Sequence, residues 1–356
     1  MAGPRVPSDV TTLQLMGQFS IAPLGRFPPG IGLPFGGISG LARESEAEML
    51  GISDAQRGGR IYRLRLDGTG DSFAVTITDF IALEIAPGEG QPDHEGLAIL
   101  PNGHFLVSSE GTGREPRRPP AIAEYGPHGE FVRRLAVRDR YVPERTGSAT
   151  RGARGNAGFE SLTLTPDRRR LFTATETALI QDGDPASFTA GSRARILEYV
   201  ARRGTFEPRR EFVYPIERVD DAGYRPGTFI NGLVELLALS NSTLLGLERG
   251  YVENPAKTAP SVNQIRLFRI SLDGATDVSD VDSLKGHPDV VPVSKTLLLD
   301  LSTTRGLSPN LAPSLDNFEG LGFGPRLPDG RASIVLVSDD NFGASQRTWF
   351  LLFAIE

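Results

Sequence analysis

Five copies of one short pattern run through the whole sequence, and this repeat constrains the fold more than any local propensity does. Each copy has a small or acidic residue, Gly-Leu or a similar pair, an apolar strand, a turn, a second apolar strand and a closing acid. The copies occupy residues 39–54, 95–110, 160–176, 235–248 and 319–339. Because turn formers such as Pro101-Asn102-Gly103 separate the two apolar runs, each copy predicts a β-hairpin.

The segments between the copies predict how many strands accompany each hairpin. Two further strand-like stretches follow each of the first four hairpins, whereas only residues 349–355 follow the fifth. An alternating apolar and polar stretch at residues 13–21 supplies the missing partner. The sequence therefore predicts an all-β fold, a β-propeller of five four-stranded blades whose last blade is closed by the N-terminal strand. Six blades is the alternative, with a degenerate blade in the strand-poor residues 273–292.

Composition sets limits on the class of protein. We expect residues 1–11 to form an N-terminal extension and residues 12–356 a single propeller domain. The absence of cysteine excludes disulfides and thiolate chemistry, and the net charge of −6 argues against a nucleic-acid partner. No apolar run is long enough for membrane insertion, and we expect a monomer. The N-terminus lacks an apolar signal region, which predicts a periplasmic or secreted protein whose signal peptide has been removed, or alternatively a cytoplasmic one.

Acidic residues recur at both ends of the repeat. In a propeller the first strand of each blade lines the central channel, and the second strand returns beside it. The start of the first strand and the end of the second therefore lie at the same mouth of the channel. The acids predicted to meet there are Asp54, Glu95, Glu110, Glu160, Glu176, Glu235, Glu248, Glu319 and Asp339. Ser39 takes the place of an acid opposite Asp54.

Nine carboxylates in a confined ring repel one another, so either some of them bind protons or a cation neutralises them. Hard oxygen ligands without cysteine or clustered histidine indicate Ca²⁺, with Mg²⁺ or Mn²⁺ as alternatives. The sequence thus predicts that the nine acids are metal ligands. The alternative is structural: each acid bonds backbone amides of adjacent loops.

The repeat motifs resemble those of the phytase-like propeller family, also described as "esterase-like activity of phytase" proteins. The resemblance spans residues 12–356 and is carried by five ordered motifs and a closing one. They are Phe35-Gly36-Gly37-Ile38-Ser39-Gly40-Leu41, Asp93-His94-Glu95-Gly96-Leu97, Asn156-Ala157-Gly158-Phe159-Glu160-Ser161-Leu162, Asn231-Gly232-Leu233-Val234-Glu235, Asn317-Phe318-Glu319-Gly320-Leu321 and Val337-Ser338-Asp339-Asp340-Asn341. The resemblance implies a β-propeller, usually exported, with metal-dependent hydrolase activity on phosphoric or other esters.

We therefore expect a metal-dependent hydrolase that acts on a small-molecule phosphate or carboxylic ester. Glu95 or Glu160 would act as the catalytic base, provided that it is not consumed as a ligand. The candidates for holding the substrate are Arg249, Lys257, Arg154 and His94. Arg249 could equally form a salt bridge within the ring, and His94 could be an ordinary loop histidine.

Two other functions fit the same sequence features. One is a lactonase-type propeller, with the same metal and base acting on a cyclic ester. The other is a non-enzymatic propeller that is stabilised by Ca²⁺ and binds a protein or a glycan through its long loops.

Overall fold

Five antiparallel sheets of four strands each make up the fold in the computed structural model. The structure describes residues 9–22, 34–55, 58–88, 90, 93–221, 223, 227–256, 261–311 and 315–356. Within these ranges helix is limited to two short 3₁₀ turns, Asp139–Tyr141 and Leu301–Thr303. No helix in the described part of the chain is long and apolar enough to cross a membrane.

The strands follow one another around the ring in chain order, one blade after another. The N-terminal strand is β1 (Leu13–Ile21). Blade 1 contains β2 (Ile38–Arg43), β3 (Glu48–Ser53), β4 (Arg60–Asp67) and β5 (Ala74–Ala82). Blade 2 contains β6 (His94–Ile99), β7 (Phe105–Ser109), β8 (Ala121–Tyr125) and β9 (Phe131–Arg134).

Blade 3 contains β10 (Thr163–Leu164), β11 (Arg170–Ala174), β12 (Ser192–Arg202) and β13 (Thr205–Ile216). Blade 4 contains β14 (Phe229–Ala238), β15 (Thr243–Val252), β16 (Val262–Ser271) and β17 (Ser294–Asp300). Blade 5 contains β18 (Asn317–Phe323), β19 (Ser333–Asp339) and β20 (Thr348–Ile355). The first strand of each blade packs against the first strand of the next, so that β2, β6, β10, β14 and β18 form a closed inner ring.

The two ends of the chain meet in blade 5. Strand β1 pairs antiparallel with β20 and forms the outermost strand of the sheet, whose order is β1-β20-β19-β18. Beyond the strands, the backbone N–H of Glu356 donates to the carbonyl of Thr12 at 3.1 Å. The prediction that the N-terminal strand closes the last blade is confirmed. This closure joins the two ends of the chain through a sheet ladder and completes the four strands of the last blade.

The hydrophobic core lies between the blades. Five apolar clusters each join two neighbouring blades: Tyr62 of blade 1, for example, packs with Val335 and Phe350 of blade 5. Each large apolar side chain buried in this way contributes about 1.5–3 kcal/mol relative to leaving it exposed. The inner strands are thus held by packing on both faces, which makes the channel mouth a rigid support.

The long segment between β16 and β17 covers the outer edge of blade 3. The backbone N–H of Val278 donates to the carbonyl of Glu211 at 2.8 Å, and that of Val293 donates to Val213 at 2.9 Å. Residues 273–292 contain no strand, so the six-blade alternative is wrong. The segment protects a sheet edge instead of forming a blade. The proposed boundary between an extension and a domain stays a prediction, because residues 1–8 lie outside the described ranges.

Candidate acidic site at the channel mouth

A β-bulge interrupts the first strand of the blades where it reaches the channel mouth. The pairing register shifts at Ser39 in blade 1, at Glu95 and Gly96 in blade 2, at Val234 in blade 4 and at Glu319 in blade 5. In blade 3 the corresponding position is Glu160, which follows the bridge between Phe159 and Thr175. Bulges commonly re-aim a side chain beside a functional site. We call one residue of each blade its bulge position: Ser39, Glu95, Glu160, Val234 and Glu319.

The second strand of each blade also places one residue at the mouth. It is the residue that directly follows, in sequence, the second-strand member of the last residue pair before the bulge. Those pairs are Ile38 with Ser53, His94 with Ser109, Phe159 with Thr175, Leu233 with Glu248 and Phe318 with Ser338. The residues that follow on the second strand are Asp54, Glu110, Glu176, Arg249 and Asp339. Blade 4 therefore contributes Val234 and Arg249 to the mouth, where the other blades contribute acids or, once, a serine.

The expectation that Glu235 and Glu248 belong to the ring is corrected by this register, because both lie one residue away from the mouth positions. The carboxylate of Glu235 accepts hydrogen bonds from the backbone N–H groups of Leu162 at 3.3 Å and Leu236 at 3.0 Å. Glu248 accepts from the Tyr214 hydroxyl at 2.8 Å and from Lys295 Nζ at 2.5 Å. Both acids bond other protein groups, which is the structural alternative raised from the sequence.

Three carboxyl groups at blade 2 lie close together. One oxygen each from Asp93, Glu95 and Glu110 lies within 4.8 Å of the other two. Glu95 and Glu110 are buried, and Asp93 is partly exposed. Asp93 was missed in the sequence analysis, although it directly precedes the start of β6 in the motif that contains Glu95. We call these three residues the acidic triad.

Burial and mutual repulsion perturb the triad. Burial, followed by the charges of Glu110 and Asp54, raises the pKa of Glu95 well above its usual range. Burial also raises the pKa of Glu110, whose side chain is in hydrogen-bond contact with those of Glu160 and Asp93. Both shifts favour the protonated form of the carboxyl groups, because the ionised groups would be desolvated beside like charges.

The acids of the other blades extend this network around the mouth. Burial raises the pKa of Asp54 to about 8, and the charges of Glu319, Asp93 and Asp340 add to the shift. Burial and the charges of Asp54 and Glu319 raise the pKa of Asp339 in the same direction. The mouth thus gathers seven of the nine predicted acids, with Asp93 and Asp340 in addition.

Arg249 lies inside the ring as an ion pair. Its Nη2 is 2.7 Å from Glu319 Oε1 and 3.6 Å from Glu176 Oε1. Burial opposes the guanidinium charge, but the carboxylates of Glu319, Glu176 and Glu160 outweigh it and raise the pKa of Arg249. Burial raises the pKa of Glu176 to about 7, although Arg249 acts to lower it. The salt bridge considered from the sequence is present.

Several polar atoms at the mouth are buried without a hydrogen-bond partner among the described residues. They include Asp54 Oδ1 and Ser39 Oγ, which come from the two mouth positions of blade 1. An orphaned buried oxygen is costly unless an ion or water satisfies it. Oxygen donors of this kind, beside the acidic triad, are the donor set that a hard divalent cation prefers.

The remaining substrate candidates lie elsewhere or outside the described residues. His94 is buried, its ring lies edge-on to Tyr125 at 6.2 Å, and burial lowers its pKa to about 4. Arg154 donates to the backbone carbonyls of Ala178 at 3.2 Å and Gly183 at 2.6 Å, which ties two loops together. Lys257 lies outside the described residues.

Fold and site together define a class of protein, a five-bladed β-propeller that gathers carboxyl groups at one mouth of its channel. The chain belongs to the phytase-like family described as "Esterase-like activity of phytase", whose model matches residues 33–342. The family membership indicated by the repeat motifs is confirmed.

Comparison with individual proteins gives more distant likenesses. An uncharacterized secreted protein of Arthroderma benhamiae is 27% identical over 142 residues, which cover 34% of this chain and 26% of that protein. The chain thus spans about a quarter of the length of that relative. Solved structures include the periplasmic gluconolactonase PpgL of Pseudomonas aeruginosa (12% identity, TM-score 0.36, 98% of this chain and 96% of that chain). A glycosyl hydrolase of Bacteroides ovatus (9% identity, TM-score 0.42, 99% and 93%) is another. TM-scores this low support no inference about chemistry.

Proposed function

We propose that the protein is a Ca²⁺-dependent hydrolase of small phosphate or carboxylic esters, with its active site at the acidic mouth of the channel. The acidic triad is the observation that carries this proposal, since three carboxylate oxygens lie within 4.8 Å of one another in a largely buried setting. Membership of a family described by esterase-like activity supports the reaction class. Mg²⁺ and Mn²⁺ are the alternative ions.

Asp93, Glu95 and Glu110 would hold the ion, and their chemistry fits a hard cation. Buried carboxyl groups this close keep protons in the absence of a counter-charge, and a divalent ion removes the need for them. When bound, Ca²⁺ would polarise the ester oxygen and lower the pKa of a water molecule. This assignment makes Glu95 a ligand, and it leaves the role of base to Glu160.

Glu160 is placed to accept a proton beside the triad. Its side chain is in hydrogen-bond contact with Glu110, and burial raises its pKa well above the usual range. It takes no part in the close group of Asp93, Glu95 and Glu110. A carboxylate in this position can receive the proton of an attacking water and return it to the leaving group.

Arg249 supplies the positive charge for an anionic substrate. Its guanidinium is fixed between Glu319 and Glu176, so it is oriented before any substrate arrives. A fixed cation at the edge of an acidic site favours esters that carry a negative group, because the ring would otherwise repel them. Phosphate monoesters and carboxylic esters that bear a separate carboxylate belong to this class.

We also propose that the protein acts outside the cytoplasm. The Arthroderma benhamiae relative is described as secreted, which supports this compartment. Free Ca²⁺ is far more abundant outside cells than in the cytosol, so a weak Ca²⁺ site of carboxylates would be filled there.

The test combines ion binding with hydrolysis. Calorimetric titration with Ca²⁺, Mg²⁺ and Mn²⁺ should show binding that E95Q abolishes. A panel of p-nitrophenyl phosphate, p-nitrophenyl acetate and a lactone should show turnover that EDTA removes. E160Q should lose at least about 100-fold in kcat while keeping its Ca²⁺ affinity.

Glu235→Gln is the matched control, because Glu235 is a buried glutamate outside the ring. The amide oxygen of the introduced glutamine can still accept the two backbone hydrogen bonds that Glu235 accepts. It should keep both ion binding and turnover. If Ca²⁺ binds but no member of the panel turns over, the protein is a Ca²⁺-stabilised binding propeller. If E95Q binds Ca²⁺ like the unmodified protein, the triad is not the ion site.

A further inference from the structure

The turn that follows β19 has an unusual backbone. Asn341 and Phe342 both have positive φ, at 47° and 50°. The backbone N–H of Gly343 donates to the carbonyl of Asp340 at 2.6 Å and closes a four-residue turn. Positive φ at both central residues is the signature of a type I′ turn, for which Asn-Gly is the preferred pair.

Phenylalanine therefore occupies the position at which glycine is preferred. A left-handed backbone is disfavoured for a residue with a bulky side chain, and such conformations persist only where the surroundings impose them. Here the surroundings are two hydrogen bonds to Asp340 Oδ1, from the N–H of Phe342 at 3.1 Å and from that of Gly37 at 2.9 Å. The turn of blade 5 is thus fastened to the first turn of blade 1, with the aromatic ring held between them.

The ring of Phe342 lies at the channel mouth beside Asp54. A Cβ atom on Gly37 would meet Phe342 Cε2 at 2.6 Å and would also collide with Asp54 Oδ1, so the ring edge and the carboxylate lie on the same side of Gly37. The guanidinium carbon of Arg60 is 5.7 Å from the ring centroid and supports it. Phe342 is partly exposed to solvent.

Blade 1 differs from its neighbours at this side of the mouth. Its bulge position is Ser39, where blades 2, 3 and 5 have glutamates, and Ser39 is buried with an unpartnered hydroxyl among the described residues. The charge of Asp93 acts on Asp54, so the acidic triad of the neighbouring blade lies near the carboxylate that Phe342 flanks. A substrate attacked at the triad would therefore extend toward the ring of Phe342.

We propose that Phe342 is a specificity-determining residue, whose ring contacts the apolar part of the substrate and selects esters with an aromatic or bulky apolar group. This inference rests on the proposed function, because it places the reacting ester at the triad. It narrows the substrate class from small esters in general to amphipathic ones, with a charged group toward Arg249 and an apolar group toward Phe342. Phe342 keeps its aromatic side chain although its left-handed backbone favours glycine, which is consistent with a functional role for that side chain.

Two variants separate the effect of the Phe342 aromatic ring from the effect of the turn backbone. F342G removes the ring and relieves the left-handed backbone, because it creates the Asn-Gly pair that the turn prefers. N341G relieves the neighbouring left-handed residue and keeps the ring. Both variants should fold, with a thermal midpoint equal to or above that of the unmodified protein.

The measurement uses two anions that differ only in the apolar group. Phenylphosphonate and methylphosphonate are titrated calorimetrically into the full chain with saturating Ca²⁺. F342G should bind phenylphosphonate about tenfold more weakly, the scale of one aromatic contact, and should bind methylphosphonate unchanged. N341G should bind both as the unmodified protein does. Hydrolysis of phenyl phosphate and methyl phosphate, which both carry the anionic group, should show the same contrast in KM between F342G and the unmodified protein, with kcat little changed.

The binding measurement and the hydrolysis measurement together distinguish the failure of this inference from the failure of the proposed function. Absence of hydrolysis with a tenfold loss of phenylphosphonate affinity in F342G would refute the esterase and uphold the aromatic contact. Equal losses for both anions, no loss in F342G, or no phenylphosphonate binding by the unmodified protein would overturn the role of Phe342.

Discussion

Glu110→Gln is the substitution that most directly tests the electrostatics of the acidic triad. Glutamine has nearly the shape of a protonated glutamate, so it removes the capacity for charge and leaves the packing intact. In the metal-free protein we expect E110Q to be at least as stable as the unmodified protein at pH 6, and more stable at pH 8. With Ca²⁺ the order should reverse.

The magnitude follows from the spacing of the triad. At a separation of 4.8 Å, two full charges repel by about 3.5 kcal/mol at an effective dielectric constant of about 20. Glu110 has two such neighbours, which gives about 7 kcal/mol for its ionisation beside ionised Asp93 and Glu95. A whole domain is stable by only about 5–15 kcal/mol. The metal-free protein must therefore keep a proton on the triad, or lose much of its stability.

The sign with respect to pH is fixed by the direction of the pKa shift. Burial raises the folded-state pKa of Glu110 above its unfolded value, so the folded protein binds more protons between the two values. Stability without metal is then greatest below the unfolded pKa and falls as pH rises toward the folded pKa. E110Q removes this group from the titration, so its stability should fall less over the same range.

Thermal unfolding at pH 5, 6, 7 and 8, with EDTA and with Ca²⁺, measures both effects. An ion at about 100 times its Kd adds about 2.7 kcal/mol. With an unfolding entropy of about 2.1 cal/mol/K per residue, this is about 4 °C in Tm for a chain of 356 residues. E235Q should show the full Ca²⁺ shift. The reasoning is refuted if E110Q shows that full shift as well, or if the metal-free stability of the unmodified protein does not change between pH 5 and pH 8.

Three further predictions concern the cations near the ring. Arg249→Met should cost about 3–5 kcal/mol in urea unfolding at pH 8, since it leaves the buried carboxylate of Glu176 and the partly buried carboxylate of Glu319 without their partner. The same variant should lose less at pH 5.5, because Glu176, with its pKa raised by burial to about 7, is then protonated; an equal loss at both pH values would contradict this. Lys295→Met should cost a similar amount, because its ammonium bonds the buried Glu248, yet it should leave Ca²⁺ affinity in a calorimetric titration unchanged.

The fold could be predicted from the sequence because each copy of the repeat contains two apolar strands separated by a turn, and two further strand-like stretches follow each of the first four copies. The closing strand could be predicted too. The fifth unit had one strand too few, and the strand-like residues 13–21 belonged to no other unit. The long segment at 273–292 was ambiguous on spacing alone. Its role depends on backbone contacts such as Val278 with Glu211, which no local pattern encodes.

The site was predicted less completely, and the errors have one physical origin. The copies of the repeat were aligned by their acidic residues, so that Glu235 was given the same position in the repeat as Glu95 and Glu319. The structure instead aligns Leu233 with Ile38 and Phe318, because the bulge follows this apolar residue in blades 1, 4 and 5. Matching on the buried apolar residue would have found the shift of one position.

Blade 4 departs from the repeat, and this departure lowers the electrostatic repulsion among the acids of the other blades. Were it to repeat its neighbours, the mouth would gain two more acids and lose its internal cation. Val234 and Arg249 stand there instead, and the guanidinium joins Glu319 of blade 5 to the loop of blade 3 that carries Glu176. The ring thereby acquires a direction, with a fixed positive charge at blade 4 and the acidic triad at blade 2. A ring with five identical blades would have no such polarity, so the departure from the repeat is what would orient an anionic ester toward the triad.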